Sequence, residues 1–467
     1  MALRKTHEQK EQELKLQRSR KYLIASVFSI LFVLVLTGFV NSEQLTPKWP
    51  SGFEDIVPRG KIMTKTGVVF AEGLAEHRRY PQNELAAHII GFSGKLQNNG
   101  RYGLEGLEYS KDADLQAGKD IIITIDPHIQ AVSQEFLSKT VNEQKADNGT
   151  VVILEAGTGR VLAAASYPDY DLNKQGQVFD RSIITNKAFL NLFEPGSVMK
   201  PFVVASLLES KKLDLTEEID TPMTLKVGDK TYRDVAQHES KLNPWDILRY
   251  SSNVGMIHLS ERFSDKELYA WLSHIGFGRD IGLRSAFTRS PNLRPPKWVP
   301  QDQASITIGQ SLSTTTLQLA AFYSIFANDG LYIPPYIVEG EQSDEVRQVF
   351  SMETAKTIRS MLRYVVKNSS LNHLMPKNSK VGGKTGTADI YDNKTGRYIK
   401  GDYTLTFAGM FPIEKPKLII VVSIQKPRVA SSSTYVAAPL FARIQESISA
   451  LWQTPSEASS LAALNSQ

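Results

Sequence analysis

The chain has 467 residues, and its 54 lysines and arginines against 49 aspartates and glutamates leave a net charge of +5. So small an excess argues against a nucleic-acid-binding protein, and 41% hydrophobic with 22% charged residues excludes a disordered, collagen-like or polytopic membrane chain. The chain contains no cysteine, which excludes disulfides, thiolate nucleophiles and cysteine-ligated metal sites.

The N-terminal segment predicts a single membrane anchor. Residues 1–21 carry seven lysines and arginines but three glutamates, and Tyr22–Val40 follows with 19 residues and no charge. A helix of about 20 apolar residues spans a bilayer, and the positive-inside rule keeps the basic flank in the cytoplasm. We therefore expect a cytoplasmic tail (1–21), a transmembrane helix (22–40) and an exported remainder. The alternative is a cleaved signal peptide, whose apolar region usually has only about 7–15 residues.

Residues 41–120 predict a small β-rich module. Short strand-like pieces separated by glycine turns dominate this stretch, for example in residues 61–71, and no long helical period is present.

Residues 121–452 predict an α+β domain, with helices around a central, mainly antiparallel sheet. Strands come early and late in this stretch and helical patterns lie between them. Residues 453–467 are rich in serine and alanine and are expected to be disordered. The predicted strands are 121–126, 150–154, 160–165, 380–389, 403–411 and 417–425, and the predicted helical stretches are 128–144, 195–326 and 439–452.

A serine and a lysine three positions apart suggest a nucleophile and its base. A Pro-Gly break precedes Ser197, and apolar residues then recur at helical spacing through Leu207. Ser197 is therefore expected to start a helix, with Lys200 on the same face. Burial and a second cation can lower the pKa of a lysine enough for it to act as a base. The copy at Ser423 and Lys426 ends an apolar strand, where residues three apart point to opposite faces, and is interpreted as structural.

The Ser-x-Asn triplet occurs three times, at Ser251, Ser290 and Ser370. Only Ser251-Ser252-Asn253 lies between two helical patterns, so this copy is the candidate for chemistry. The other two are interpreted as polar loop clusters.

The Lys-Thr-Gly triplet also occurs three times, at Lys65, Lys384 and Lys394. Only Lys384 lies in a strand pattern preceded by paired glycines, and the other copies are interpreted as hairpin turns. Glycines within a strand indicate close approach of another backbone. Threonines beside a lysine suit a substrate carboxylate, so an added substrate strand is expected here.

With these motifs in this order, the sequence resembles the penicillin-binding proteins and serine β-lactamases, whose signature is Ser-x-x-Lys, Ser-x-Asn and Lys-Thr-Gly. It is most similar to the class B, monofunctional penicillin-binding proteins of the division-specific FtsI group, over nearly everything from residue 22 to 452. The module at 41–120 is shorter than is usual in the family, which puts its partner contacts in doubt. The likeness extends to residues 59–62, 103–106, 193–201, 250–255, 310–320 and 382–388.

The resemblance implies a peptidoglycan D,D-transpeptidase that acts through an acyl-serine intermediate. Ser197 would attack the carbonyl of the penultimate D-alanine of a stem peptide and release D-alanine, and a neighbouring stem would then accept the acyl group. The other implied roles are Lys200 as general base, Ser251 as proton shuttle, Asn253 as the residue that holds Lys200 and the substrate amide, Lys384 as a source of positive potential, the backbone N–H groups of Ser197 and Thr387 as oxyanion hole, and Thr385, Gly386 and Thr387 as the substrate-binding segment.

The resemblance also implies location and partners. We expect a single-pass protein of the bacterial inner membrane with a periplasmic catalytic domain, acting at the septum in cell division. The implied partners are peptidoglycan stem peptides, β-lactam antibiotics, a lipid II polymerase of the SEDS kind and other divisome proteins. No metal or organic cofactor is implied, and the eight histidines form no metal-ligand spacing.

Several rival functions are considered. A class A β-lactamase needs a deacylating glutamate after the Ser-x-Asn triplet, but the only similar string, residues 239–243, lies before it. A bifunctional synthase needs a further domain of about 200 residues, for which there is no room. An elongation-type class B transpeptidase and a non-catalytic β-lactam-binding scaffold or sensor stay as alternatives.

Overall fold

The computed structural model describes residues 59–177, 180–281, 283–377, 379–392 and 395–453. Within these ranges no helix combines the length and the apolar character that crossing a membrane requires. The predicted cytoplasmic tail, transmembrane helix and disordered tail lie outside the described residues, except that Gln453 ends the last helix.

A small three-stranded sheet organises the N-terminal part of the described chain. Its strands are β1 (Ile62–Thr64), β2 (Val69–Ala71) and β3 (Ile121–Ile123). Strand β1 lies in the middle, antiparallel to β2 and parallel to β3. The strand predicted to open the larger domain therefore pairs with the module, and the boundary at residue 120 stays a prediction. The module also contains α1 (Ala87–Ile90), α2 (Gly106–Ser110), α3 (Asp112–Gln116) and a 3-10 turn at Ala75–His77.

A buried network of charges holds this module together. The Glu108 carboxylate accepts hydrogen bonds from Arg59 Nε at 2.8 Å and from Arg78 Nε at 2.6 Å, and Arg59 also pairs with Asp112 at 2.8 Å. Glu108 is completely buried. Loss of either arginine would leave the buried Glu108 with only one of its two partners, and breaking a buried ion pair typically costs about 3–5 kcal/mol.

The larger part of the chain has strands of the central sheet early and late, with helices and short strands between them, as predicted for its α+β fold. In chain order its elements are α4 (Pro127–Gln144), β4 (Asn148–Glu155), β5 (Val161–Tyr167), α5 (Arg181–Ile184), α6 (Lys187–Leu190), α7 (Lys200–Glu209), β6 (Ile219–Asp220), β7 (Thr224–Val227), β8 (Lys230–Arg233), β9 (Lys241–Leu242), α8 (Pro244–Tyr250), α9 (Asn253–Ser260), α10 (Asp265–Ile275), α11 (Pro300–Thr307), α12 (Thr316–Ala327), β10 (Leu331–Tyr332), β11 (Arg347–Gln348), α13 (Met352–Lys367), β12 (Gly382–Asp392), β13 (Arg397–Phe411), β14 (Leu418–Gln425) and α14 (Ala437–Gln453).

The central sheet has five strands in the order β12-β13-β14-β4-β5, and every neighbouring pair is antiparallel. The prediction of a mainly antiparallel sheet built from early and late strands is confirmed. Strand β12, which carries the Lys-Thr-Gly triplet, lies at one edge of this sheet, so one side of its backbone has no partner strand among the described residues.

Helices cover both faces of the sheet, as the alternation of side chains in β4 shows. The Thr150 hydroxyl is 2.7 Å from the hydroxyl of Thr316 at the start of α12. A Cβ atom on the preceding residue, Gly149, would instead lie 2.8 Å from Leu137 of α4. Because successive residues of a strand point to opposite faces, α12 and α4 lie on opposite sides of the sheet.

Helices dominate residues 195–326, as expected, but they are not the only elements there. Two small antiparallel pairs, β6 with β9 and β7 with β8, interrupt this stretch. In β7 exposed and half-buried residues alternate, which is the pattern of a strand with one covered face. A two-residue turn at Gly228-Asp229, with a φ of 58° at the glycine, then brings β8 back beside β7.

The other copies of the three motifs, which the sequence analysis did not assign to the active site, lie elsewhere in the structure. Ser423 is buried in β14, while Lys426 follows the strand and pairs with Asp147 at 3.4 Å. The Lys65 copy forms the turn between β1 and β2, as predicted, and Ser290 lies in a loop. Ser370 starts a 3-10 helix, Ser370–His373, rather than a loop. Lys394 lies outside the described residues.

Candidate active site

Ser197 lies on a tight turn at the start of a helix. Residues Gly196–Met199 form one turn of 3-10 helix, which continues into α7 at Lys200. The predicted helix start is confirmed, although its first turn is 3-10. The Tyr323 hydroxyl donates a hydrogen bond to the carbonyl of Val198 at 2.9 Å and fixes this turn from α12.

Close backbone packing explains the glycine before the serine. Gly196 has a φ of 60°, and its N–H donates to the Gly309 carbonyl at 3.0 Å. A Cβ atom on Gly196 would lie 2.8 Å from the Thr387 carbonyl, and one on Gly309 only 2.0 Å from the Gly196 carbonyl. The serine turn is therefore clamped between β12 and the segment after α11.

Lys200 is completely buried and faces the second motif. Its ammonium nitrogen lies 2.5 Å from the Ser251 carbonyl, 2.8 Å from Asn253 Oδ1 and 3.3 Å from Ser251 Oγ. The Ser197 hydroxyl has no hydrogen-bond partner among the described residues. Direct contact between Ser197 and Lys200 is thus not formed here, and catalytic hydrogen bonds are often long in the absence of substrate.

The Ser251-Ser252-Asn253 triplet joins two helices, as its context predicts. Helix α8 ends in Ser251, which has a left-handed conformation with a φ of 59°. Ser252 caps α9, and its hydroxyl accepts from the Gly255 N–H at 2.8 Å. This chain reversal directs Ser251 Oγ and Asn253 Oδ1 toward the same lysine.

Lys384 completes the cluster from the edge strand β12. Its ammonium nitrogen donates to Ser251 Oγ at 2.9 Å, so Ser251 lies between the two lysines. The glycines of this strand permit the approach: a Cβ atom on Gly386 would lie 2.6 Å from the Pro195 carbonyl. A Cβ atom on Gly383 would lie 2.6 Å from the ring of Phe407 and 2.8 Å from the carbonyl oxygen of Ala408. A side chain and a backbone atom therefore both exclude a larger residue at this position.

The electrostatics distinguish the two lysines. Burial, followed by the positive charge of Lys384, holds the pKa of Lys200 well below its ordinary value. Burial lowers the pKa of Lys384 to about 7. Because two ammonium groups beside one hydroxyl repel each other, a charged Lys384 favours the loss of a proton from Lys200. Lys200 is therefore the better candidate for the base.

Two further residues support the site, and the sequence motifs did not predict them. Asp234 anchors the start of α9: its Oδ1 accepts from the backbone N–H groups of Asn253 at 2.5 Å and Val254 at 3.1 Å, and its Oδ2 accepts from the Ser252 hydroxyl at 2.5 Å. A carboxylate at a helix start satisfies free amides. Asp234 lies 18 residues before Ser252 in the chain, so local spacing gave no signal.

Ser433 is the second supporting residue. It is buried, its hydroxyl lies 2.8 Å from that of Thr387, and it also donates to the Gly386 carbonyl. It follows two other serines in the loop before α14, and nothing in that run distinguishes it. Ser433 therefore orients Thr387, whereas the Thr385 hydroxyl forms no hydrogen bond among the described residues.

Replacing Ser433 with alanine is expected to slow active-site acylation about 5- to 10-fold, because the lost hydrogen bond is worth about 1 kcal/mol and Thr387 loses its orientation. The rate of adduct formation with a fluorescent penicillin measures this effect. Ser431, exposed in the same loop, supplies the matched variant, Ser431→Ala. Equal acylation rates for the two variants would show that Ser433 does not contribute to the active site.

A cavity of about 550 Å³ lies beside the end of β12 that follows Thr387, at residues 389–391. In its wall, Glu194 accepts hydrogen bonds from the Ser311 N–H at 2.9 Å and the Tyr398 hydroxyl at 3.1 Å. Burial raises the pKa of this carboxyl group. Other lining residues are Lys230, Asn292, Asp389 and Tyr391. The cavity gives room for a substrate body beyond Thr387.

Residues 149–446 match the model of the penicillin-binding protein transpeptidase domain. The chain is 32% identical to a probable peptidoglycan D,D-transpeptidase, PenA, of Neisseria gonorrhoeae, over 86% of this chain and 72% of that protein. It is 28% identical to a peptidoglycan D,D-transpeptidase FtsI homolog of Mesostigma viride, over 82% and 74% of the two chains. Crystal structures of penicillin-binding protein 3 of Mycobacterium tuberculosis, free and complexed with aztreonam or ampicillin, match with a TM-score of 0.75 at 29% identity, over 85% of this chain and 96% of that chain.

Proposed function

Because this chain belongs to the penicillin-binding protein transpeptidase family and is a peptidoglycan D,D-transpeptidase of the PBP3/FtsI type, we propose that it cross-links stem peptides in the septal wall and is a target of β-lactams. The observation that carries the proposed chemistry is the placement of Ser251 between the buried amines of Lys200 and Lys384. The remaining features of the site each supply one step of acyl transfer.

The first half-reaction acylates Ser197. The neutral amine of Lys200 takes the hydroxyl proton as Ser197 Oγ attacks the carbonyl carbon of the penultimate D-alanine. The backbone N–H groups of Ser197 and Thr387 stabilise the oxyanion, and donors of this kind are typically worth about 10²–10³ in rate each. Ser251 passes the proton from Lys200 to the leaving nitrogen, so the terminal D-alanine departs as an amine and the acyl-enzyme remains.

The second half-reaction transfers the acyl group. The amine of a neighbouring stem attacks the ester carbon and loses a proton through Ser251 to Lys200, and the proton returns to Ser197 Oγ as the ester bond breaks. One amide bond is thus exchanged for another without a net redox change. Asn253 holds Lys200 throughout, because its Oδ1 accepts from that amine at 2.8 Å.

The free edge of β12 supports binding of the donor peptide as an added strand. Lys384, Thr385, Gly386 and Thr387 lie on this edge strand, where a terminal carboxylate meets positive potential and hydroxyl donors. The body of the peptide then continues toward the cavity at Glu194. A β-lactam presents an anionic group, a carboxylate or sulfonate, beside a reactive amide in a similar arrangement. Complexes of the related mycobacterial protein with aztreonam and ampicillin support this part of the proposal.

The proposed location rests on the sequence. The basic segment 1–21 and the uncharged stretch Tyr22–Val40 support a catalytic domain on the outer side of the bacterial inner membrane. By family resemblance, the working partners are a SEDS-type lipid II polymerase and other divisome proteins.

Depletion of the protein is expected to give long filaments, because septal cross-linking stops while the side wall continues to grow. A fluorescent fusion to the N-terminus is expected to collect at mid-cell. Light microscopy of a depletion strain measures both outcomes, with a strain complemented by the wild-type protein as control. Round or swollen cells would contradict the septal role and favour the elongation-type alternative.

A further inference from the structure

His238 lies behind the Asp234 carboxylate, in the loop between β8 and β9. Its Nε2 is 2.8 Å from Asp234 Oδ2, and its Nδ1 is 2.7 Å from the carbonyl oxygen of Glu239. The side chains of His238 and Asp234 are 0% and 1% exposed. The pair therefore lies out of contact with solvent, directly beneath the start of α9.

The contacts of His238 favour a proton on each of its ring nitrogens. A backbone carbonyl can only accept, and Asp234 already accepts from three other donors, as an ionised carboxylate does. A neutral imidazole has one N–H, so either tautomer would set a nitrogen lone pair against an oxygen lone pair. The imidazolium satisfies both contacts and places its positive charge against the Asp234 carboxylate.

The other groups around this pair belong to the active site. The ring of Tyr250, the residue before Ser251, lies 5.5 Å from the His238 ring. The Arg249 guanidinium lies 3.8 Å from the centre of the Tyr250 ring. The charge of Asp234 also acts on Lys200. The loop of His238 thus contacts the second motif both through Asp234 and through Tyr250.

We propose that His238 is a positioning residue of this active site: as an imidazolium it holds and neutralises Asp234, so that Asn253 stays against Lys200 and the Lys200 amine stays available as the base. The inference rests on the proposed function for its catalytic meaning, but the charge state of His238 is a property of the folded chain alone. It adds to the three motifs a residue that touches neither the substrate nor the reacting atoms.

The electrostatic part of this role has a definite sign. The negative charge of Asp234 raises the pKa of Lys200, against burial and Lys384, which lower it. A positive His238 beside Asp234 offsets that negative charge. Removing the charge of His238 therefore raises the pKa of Lys200, and less of the neutral base is present at a given pH. The rate of acylation should then reach its plateau at higher pH.

Three variants of the full chain separate charge from hydrogen bonding. His238→Gln keeps a donor toward Asp234 without the charge, His238→Lys keeps a charge, and His238→Phe removes both. The rate of acylation by benzylpenicillin is measured for each from mildly acidic to alkaline pH. For His238→Gln we expect the acidic limb to move up by roughly 0.5–1 pH unit, which lowers the rate on that limb about 3- to 10-fold and leaves the plateau less affected. We expect His238→Lys to move the limb back toward that of the wild type.

A merely structural histidine would lower the rate equally at all pH values, so an unmoved limb in His238→Gln would overturn the inference. Thermal unfolding of each variant shows whether it has lost its fold. If a variant has, ¹⁵N NMR of the histidine rings in the wild-type protein tests the charge of His238 directly. At neutral pH we expect the assigned His238 ring to have both nitrogens protonated, whereas burial lowers the pKa of His88 to about 4 and keeps that ring neutral. A neutral His238 ring would overturn the inference. A wild-type protein that benzylpenicillin does not acylate would contradict the proposed function instead, while the NMR measurement would still report the charge of His238.

Discussion

Replacing Ser197 with alanine is expected to abolish covalent labelling by benzylpenicillin, with a loss of at least about 10⁴-fold in acylation rate. The turn Gly196–Met199 carries this one hydroxyl, and the proposed function makes its oxygen the nucleophile. Intact-mass spectrometry of the full chain measures the result: a one-to-one adduct on the wild-type protein and none on Ser197→Ala. An adduct that persists for hours on the wild type would favour a transpeptidase over a β-lactamase.

The second Ser-x-x-Lys motif supplies the matched control for this substitution. Ser423 is buried in β14, and its hydroxyl has no hydrogen-bond partner in the structure. Ser423→Ala should therefore leave the adduct unchanged. If the adduct vanished in Ser423→Ala, or survived in Ser197→Ala, the choice between the two motifs would be wrong.

Replacing Lys200 with methionine is expected to lower the acylation rate about 10³-fold, since a positioned general base contributes roughly 10²–10⁴. The pH profile of the acylation rate tests whether Lys200 is the base. In the wild type the rate should rise with pH while Lys200 loses its proton and fall again at higher pH when Lys384 becomes neutral. In Lys200→Met the rising limb should disappear, because the group that produces it has been removed.

Lys426→Met is the corresponding control. Lys426 lies at the surface, 31% exposed, and pairs with Asp147 and Asp402. Its loss should change neither the rate nor the pH profile. Stopped-flow measurement of fluorescent-penicillin binding gives both quantities for the two variants, and a rising limb that survives in Lys200→Met would assign the base to another group.

Much of the fold was predictable because the strands carry their own pattern. The apolar strands β4 and β14 could be located in the sequence, and their early and late positions predicted a sheet interrupted by helices. The β7–β8 pair was missed, because its strands have four residues each and the polar residues lie on its exposed side. Over so short a stretch, helical and strand patterns cannot be separated by period alone.

The chemistry-bearing residues were also readable from sequence, but only when the local context was considered. Each triplet occurs more than once, and the choice of Ser197, Ser251 and Lys384 depended on the helix break, the pair of flanking helices and the paired glycines. In the structure Lys200 is hydrogen-bonded to Ser251 and Asn253, and Lys384 is hydrogen-bonded to Ser251. Their individual catalytic roles stay predictions, which the variants above address.

By itself, the sequence determined the fold class, the three motifs and the family, because these depend on residue types at short, regular spacings. Only the tertiary structure decided that Asp234 anchors the start of α9, that Ser433 orients Thr387 and that His238 lies beneath Asp234. It also distinguished the two lysines, because the pKa of a buried amine depends on how deeply it is buried and on which charges surround it. Such contacts join residues far apart in the chain, and no local pattern encodes the path that brings them together.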